Sequence, residues 1–364
     1  MVAVVTRLAL ANIKSLKAYQ AVDPVEVMAE AAGIPPGKII RLNGNENPYG
    51  TSPKVAQALG NFNGYNHYPD PGQRRLRDRL AKYVGVDPEF IVAGNGSDEL
   101  IDLTLRIFLN RGENIVEPSP TFGMYAFCAQ LCGGEVIAVP RDYKFNIDVD
   151  AIRLAMNPNV KAILFASPNN PTGNLASESE IRQLLDLGCV VMVDETYYEF
   201  CGHTVIPLIY EYPNLIVLRT LSKWAGLAGL RIGMGIMNPE VASLMMRMKP
   251  PYNVNLAAEL ALFASLDDRE WLMGKVNSIV TERDRMFSLL KAIPGLKPWP
   301  SQANFVLCEV PDNMGQTIFE GLAKLGIFVR YFSDPRLVDC VRISVGLNYE
   351  TDALISALKS LLKE

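Results

Sequence analysis

The segment Thr220-Leu221-Ser222-Lys223-Trp224-Ala225-Gly226-Leu227-Ala228-Gly229-Leu230-Arg231-Ile232-Gly233 sets a single lysine after hydroxyl residues and ahead of a glycine-rich, otherwise apolar stretch. A lysine held among apolar neighbours resists protonation, and its neutral amine can attack a carbonyl to form a Schiff base. Lys223 is therefore a candidate covalent anchor; a solvated surface charge is the alternative, and the commoner fate of a lysine. The run Asn214 to Leu218 just upstream reads as a buried strand. Thr220, Ser222 and Lys223 then fall in the loop beyond its C-terminal end, the edge at which open α/β sheets bind ligands.

Three further segments follow strand-like runs and offer groups suited to one phosphorylated, electron-withdrawing ligand. Ile91-Val92-Ala93 leads into Gly94-Asn95-Gly96-Ser97-Asp98-Glu99 and then an apolar-periodic helix. Glycine lets the backbone approach an anion, and a helix start presents free N–H groups with a favourable dipole; an ordinary capped turn is the alternative. The other two are Ser167 to Gly173 and Asp194 to Tyr197. Asp194 ends the apolar run Val190 to Val193, where a carboxylate is costly without a partner, although a helix cap or a structural ion pair would also supply one.

The ordered set Ser-Pro-Asn-Asn-Pro-Thr-Gly, Asp-Glu-Thr-Tyr and Ser-Lys followed eight residues later by Arg231 resembles the fold-type I pyridoxal-phosphate aminotransferases. The likeness runs from about Tyr19 into the C-terminal region and is nearest to the branch that acts on histidinol phosphate. It implies pyridoxal 5'-phosphate as cofactor, with Lys223 as its covalent anchor and general acid/base, and Asp194 on the ring N–H, where ion pairing keeps the ring electron-withdrawing. Gly96, Ser97, Asp98, Thr220, Ser222 and Arg231 are expected around its phosphate, and Tyr197 with Asn170 at its phenolic oxygen. Phe122 is expected against the ring face, although a buried core phenylalanine would look the same in sequence. Tyr68 corresponds to a tyrosine that reaches the neighbouring subunit's cofactor, which implies a homodimer with shared sites.

For substrate, the resemblance points to Tyr19, Asn47, Arg330 and Arg342. Arg342 lies inside the apolar run Val341 to Val345 and matches an arginine that binds the amino-acid carboxylate; a buried structural ion pair is the alternative. Two guanidinium forks can hold a phosphate or a carboxylate. The implied reaction is ping-pong amino transfer between L-histidinol phosphate and 2-oxoglutarate, with L-glutamate as the other amine, in L-histidine biosynthesis. An aromatic amino-acid aminotransferase or a threonine-phosphate decarboxylase would use the same lysine. A ligand-sensing transcription regulator would need a DNA-binding module, and no basic helix-turn-helix is apparent ahead of the motifs.

Composition agrees with small-molecule chemistry. The 364 residues carry a net charge of −4 with 20% charged residues, which gives neither a basic field for nucleic acid nor a polybasic membrane tether. The Arg74 to Arg79 cluster is interleaved with Leu76, Leu80 and Tyr83 at helical spacing, so it reads as a solvated helix face. Six scattered cysteines and two histidines, His67 and His203, argue against a disulfide framework or a multi-histidine metal site. Met1 to Leu10 is broken by Arg7 and lacks a signal-peptide core, so a soluble, cytoplasmic protein is expected.

The elements that must position these groups follow from hydrophobic patterning. Short continuous apolar runs at Phe90–Ala93, Asn114–Glu117, Lys161–Ala166, Val190–Val193 and Leu215–Leu218 suit strands covered on both faces. The expected fold is α/β, with a large domain built on a mostly parallel sheet flanked by helices and a small α+β domain. The divisions read as an N-terminal arm and part of the small domain over 1–42, the large domain over 43–255, one long connecting helix over 256–290 and the small C-terminal domain over 291–364. Leu8, Ile13 and Leu16 make the arm weakly amphipathic.

Overall fold

The computed structural model describes residues 5–362, so the start of the Met1–Leu10 stretch lies outside the described residues. Strand β1 (Ile40–Arg41) follows the N-terminal arm. The central strands are β2 (Ile91–Gly94), β3 (Asn114–Ser119), β4 (Glu135–Pro140), β5 (Val160–Ala166), β6 (Val190–Asp194), β7 (Leu215–Thr220) and β8 (Gly233–Met237). The C-terminal part holds β9 (Lys297–Pro298), β10 (Phe305–Glu309), β11 (Ile327–Phe328), β12 (Arg330–Tyr331) and β13 (Cys340–Ser344).

The central strands form one sheet in the order β2-β8-β7-β6-β5-β3-β4. All neighbouring pairs are parallel except those of β8, which runs antiparallel to both β2 and β7. Successive residues point to opposite faces, and both faces are buried. Ile163, Phe165, Val191, Val193 and Val217 join one core cluster, whereas Ala162, Leu164, Met192, Ile216 and Leu218 join the other. Covering both faces leaves only the strand ends open to ligands.

Two of these strands escape the patterning of the sequence. Strand β4 is an edge with a half-exposed face, so it lacks the continuous apolar run of a central strand. Strand β8 reads Gly-Met-Gly-Ile-Met, and glycine disfavours strands. Gly233 is nonetheless required, because a Cβ there would lie 2.7 Å from the backbone nitrogen of Ser97.

The connecting segment is two helices, Leu256–Asp267 and Arg269–Lys291, where the sequence suggested one. They part at Asp268, whose carboxylate accepts from Ser52 Oγ at 2.5 Å and pairs with Lys54 Nζ at 2.9 Å. An aspartate drawn into tertiary bonds in this way does not continue a helix well. In the C-terminal part β12-β13-β10-β9 form an antiparallel sheet, and β1 pairs in parallel with β11. Of the arm's apolar residues Leu8 and Ile13 are exposed, whereas Leu16 is half-buried. Asn12 fixes the arm, donating to the carbonyls of Gln130 and Leu131 at 3.0 and 3.1 Å.

Among the described residues no helix is long and apolar enough to cross a membrane, and no cluster of His, Cys, Asp and Glu is arranged to hold a metal ion. All six cysteines are unpaired.

Candidate active site

Strands β2, β3, β5, β6 and β7 end on one edge of the sheet, and the antiparallel β8 begins there, with Gly233 opposite both Gly94 and Thr220. This reversal brings Arg231 to the edge that receives Gly96, Asn170, Asp194 and Lys223. A cavity of about 490 Å³ opens at this edge. Its walls include Tyr19, Ser97, Asp98, Phe122, Asn170, Asp194, Tyr197, Thr220, Ser222, Lys223, Arg231, Arg330 and Arg342.

Lys223 projects into the cavity, where its Nζ donates to the carbonyl oxygen of Gly44 at 3.1 Å. Burial lowers its pKa to about 8, with the Arg342 charge adding to the fall against the pull of Glu46 and Asp98. The shift runs in the direction that makes the amine nucleophilic near neutral pH. Thr220 is the last residue of β7 and not part of the loop beyond it. Its Oγ1 accepts from the Ser222 backbone N–H at 3.1 Å, which fixes the turn into Lys223.

Asp194, at the end of β6, is buried, and its pKa is raised by that burial. One carboxylate oxygen accepts from the hydroxyl of Tyr125 at 3.0 Å, the other from the backbone N–H of Thr196 at 3.0 Å. Among the described residues no cation pairs with it. The group is held in place, aimed at the cavity and short of a positive partner.

Gly96 itself does not line the cavity; it has φ 78° and leads into the helix Ser97–Phe108, whose residues Ser97 and Asp98 do. A Cβ at Gly96 would meet Arg231 Nη2 at 2.6 Å, so the close approach of the guanidinium needs glycine there. The Asp98 carboxylate binds that guanidinium at 2.6 Å. Asp98 therefore orients Arg231, and it can serve an anion only through its backbone N–H. Free N–H groups at this helix start together with Arg231 make a cradle for a dianion.

Arg342, on β13, is buried without a carboxylate partner among the described residues. It donates to Asn170 Oδ1 at 2.7 Å and to the Asn43 carbonyl at 2.6 Å, while its Nε has no partner. A buried ion pair is thus not the reason for this arginine. Arg330 donates to the carbonyl of Gln20 at 2.8 Å, which ties the arm over the cavity beside Tyr19. Phe122 stands edge-on to both Tyr19 and Tyr125.

Two residues singled out in the sequence lie elsewhere. Asn47 does not line the cavity: its Nδ2 donates to the Trp224 carbonyl at 2.8 Å and its Oδ1 accepts from the Tyr49 N–H at 2.9 Å. It braces the loop after Lys223, and its neighbours Asn43, Gly44 and Asn45 form the wall instead. Tyr68 is 79% exposed, stacked on Tyr252 at 4.4 Å, and is absent from this chain's cavity. Tyr125 and Phe332 went unnoticed in the sequence. Tyr125 looks there like one more apolar residue of the helix Met124–Leu131, since only the fold places its hydroxyl on Asp194.

Comparison with known proteins finds relatives along nearly the whole chain. The profile of the family described as Aminotransferase class I and II matches residues 37–358. Histidinol-phosphate aminotransferase of Roseiflexus castenholzii is 45% identical, over 99% of this chain and 100% of the relative. The enzyme of that name from Dehalococcoides mccartyi is 47% identical over 88% of this chain and 90% of its own length. Among solved structures, histidinol-phosphate aminotransferase from Sinorhizobium meliloti in complex with pyridoxal-5'-phosphate superposes with a TM-score of 0.90 at 25% identity, covering 98% of both chains.

Proposed function

This chain belongs to the class I and II aminotransferases, and from that membership we propose that it transfers an amino group reversibly between L-histidinol phosphate and 2-oxoglutarate, using pyridoxal 5'-phosphate, in L-histidine biosynthesis. The observation that carries the substrate assignment is the buried Arg342 guanidinium, which among the described residues has no carboxylate partner and an unpartnered Nε. It opens, together with Arg330, on the cavity that holds Lys223. Histidinol phosphate bears a phosphate and glutamate bears carboxylates, and planar guanidinium forks accept either anion.

The residues fit the cofactor. Bound pyridoxal phosphate supplies an aldehyde for capturing the substrate amine and a ring that draws electrons from the substrate Cα. Lys223 would hold it covalently; Arg231, Thr220, Ser222 and the start of the helix Ser97–Phe108 would hold its phosphate. Asp194 would face the ring nitrogen, Tyr197 and Asn170 the phenolic oxygen, and Phe122 one ring face. When not bound to the cofactor, the Lys223 amine would act as general base toward the substrate Cα proton. Tyr19, Ala21 and Val22 of the arm line the same cavity.

The substrate reading is tested by comparing kcat/KM for histidinol phosphate, histidinol, phenylalanine and threonine phosphate, with carbon dioxide release followed in parallel. Removing the phosphate from histidinol phosphate should lower kcat/KM by about 10²-fold or more, because a buried guanidinium is then left without its anion. Preference for phenylalanine would point to an aromatic aminotransferase, and stoichiometric carbon dioxide from threonine phosphate to a decarboxylase.

The exposed Tyr68–Tyr252 stack supports a homodimer in which Tyr68 completes the neighbouring site. Mixing Tyr68→Phe with Lys223→Ala subunits should restore activity, since one site of each hybrid then carries neither lesion. No recovery after verified subunit exchange, with both parents impaired, would favour self-contained sites. A cytoplasmic location accompanies this reading, and fractionation with enzyme assay would check it.

A further inference from the structure

We propose that Asn45 is the positioning residue that points the Tyr197 phenolic proton into the cavity, toward the oxygen that the cofactor presents there. The inference rests on the function proposed above. Asn45 is buried and holds φ at 51°, a left-handed backbone that asparagine tolerates better than most side chains. Its carbonyl accepts from Asn304 Nδ2 at 2.9 Å, and its backbone N–H donates to Ser344 Oγ at 2.9 Å. The backbone is thereby fixed to the end of β13, which also carries Arg342, and to the residue just before β10.

Accounting for the protons sets the direction of the chain. Ser344 Oγ accepts from the Asn45 N–H, and its own single proton goes to Asn45 Oδ1 at 2.8 Å. With Oδ1 engaged, Nδ2 faces Tyr197 and donates to its hydroxyl oxygen at 2.9 Å. A phenol has one proton, which favours the ring plane on one side or the other of the oxygen. The Asn45 amide occupies one side as a donor, so the Tyr197 proton is left for the other, where Tyr197 lines the cavity. The charged and titratable groups around this hydroxyl are Arg342, Asp194 and Tyr19. Among the described residues none of them hydrogen-bonds it.

A donor to the cofactor's phenolic oxygen withdraws charge from it and so weakens its hold on a proton at the lysine-bound nitrogen. Replacing Asn45 by aspartate keeps shape and backbone but exchanges the donor for an acceptor, which turns the Tyr197 proton away from the cavity. The visible absorption of the Lys223-bound cofactor, titrated against pH, should then shift to a pKa higher by about 1 to 2 units, the size of one hydrogen bond to a charged group. In a Tyr197→Phe background the same replacement should leave the pKa where Tyr197→Phe alone puts it. If Asn45→Asp does not fold, Ser344→Ala, which frees the amide to flip, should raise the pKa in the same direction by less. An unmoved titration in these variants overturns the inference, as does an equal shift with and without the Tyr197 hydroxyl, since the new carboxylate charge alone would then explain it. A wild-type protein without lysine-bound cofactor sinks both this inference and the reading beneath it, whereas a normal wild-type band with unmoved variants sinks the inference alone.

Discussion

Lys223→Ala is expected to lower the transamination rate by at least about 10⁴-fold while the protein stays folded, because in the proposed mechanism one side chain serves as covalent anchor and as proton carrier. The fold should survive, since the ammonium makes one hydrogen bond, to the Gly44 carbonyl, and no ion pair among the described residues. Borohydride reduction of the cofactor-loaded wild type followed by peptide mapping should place the label on Lys223. Lys249 is the informative internal control: it too is buried with a lowered pKa, yet its Nζ is bound to the carbonyls of Pro71, Pro250 and Pro251, away from the cavity. Label on Lys249 or any other lysine would remove the assignment. The pH dependence has a definite sign. Burial lowers the Lys223 pKa to about 8, so the nucleophilic neutral amine accumulates as pH rises through that value. Cofactor capture by the apo-protein should accelerate through about pH 8 and then level off; acceleration continuing toward the ordinary lysine pKa of about 10.4 would mean that the amine is not buried as described.

The central strands could be read from the sequence because burial on both faces writes the same signal twice. Runs such as Val190 to Val193 have no polar face to dilute them. The residues at the ends of these runs were legible for a related reason: Asp194, Lys223 and Gly96 are each costly or unusual where they stand, and such residues draw notice when a strand precedes them. Strand β8 was not legible because its glycines answer to a neighbour far away in sequence, the backbone at Ser97. Asn47 misled for the same kind of reason. In a turn-rich run of three asparagines, only the path of the chain decides which side chain meets the cavity and which meets Trp224. Tyr125 and Asn45 act by hydrogen bonds to groups 69 and 152 residues away, and one-dimensional spacing holds no trace of such bonds.

Asp194→Asn is expected to reduce the single-turnover rate by on the order of 10²-fold or more while leaving cofactor retention largely intact, because the two functions are held by different parts of the site. Under the proposed function, retention would depend on Lys223 and on the cradle of Arg231 and the helix start. In the proposed mechanism the acceleration would depend on keeping the ring nitrogen positively charged, which a neutral amide cannot do by ion pairing. The Tyr125 hydroxyl and the Thr196 N–H, at 3.0 Å each, already occupy an acceptor on each Asp194 oxygen. With asparagine, one of those donors would face an NH₂ group, so the amide must either lose a hydrogen bond or turn its donor away from the cavity. Asp194→Glu separates charge from position: the carboxylate remains, displaced by one methylene. Recovery in Asp194→Glu well above Asp194→Asn would locate the effect in the charge, and equal loss in both would locate it in the geometry held by Tyr125 and Thr196. The decisive arm uses a cofactor methylated on the ring nitrogen, which is positively charged without help from the protein. Loaded into Asp194→Asn, it should recover much of the lost rate relative to the same variant with the native cofactor. Near-normal single-turnover rates for Asp194→Asn with the native cofactor would show that this carboxylate, although buried and aimed at the cavity, is not what holds the ring in its charged form.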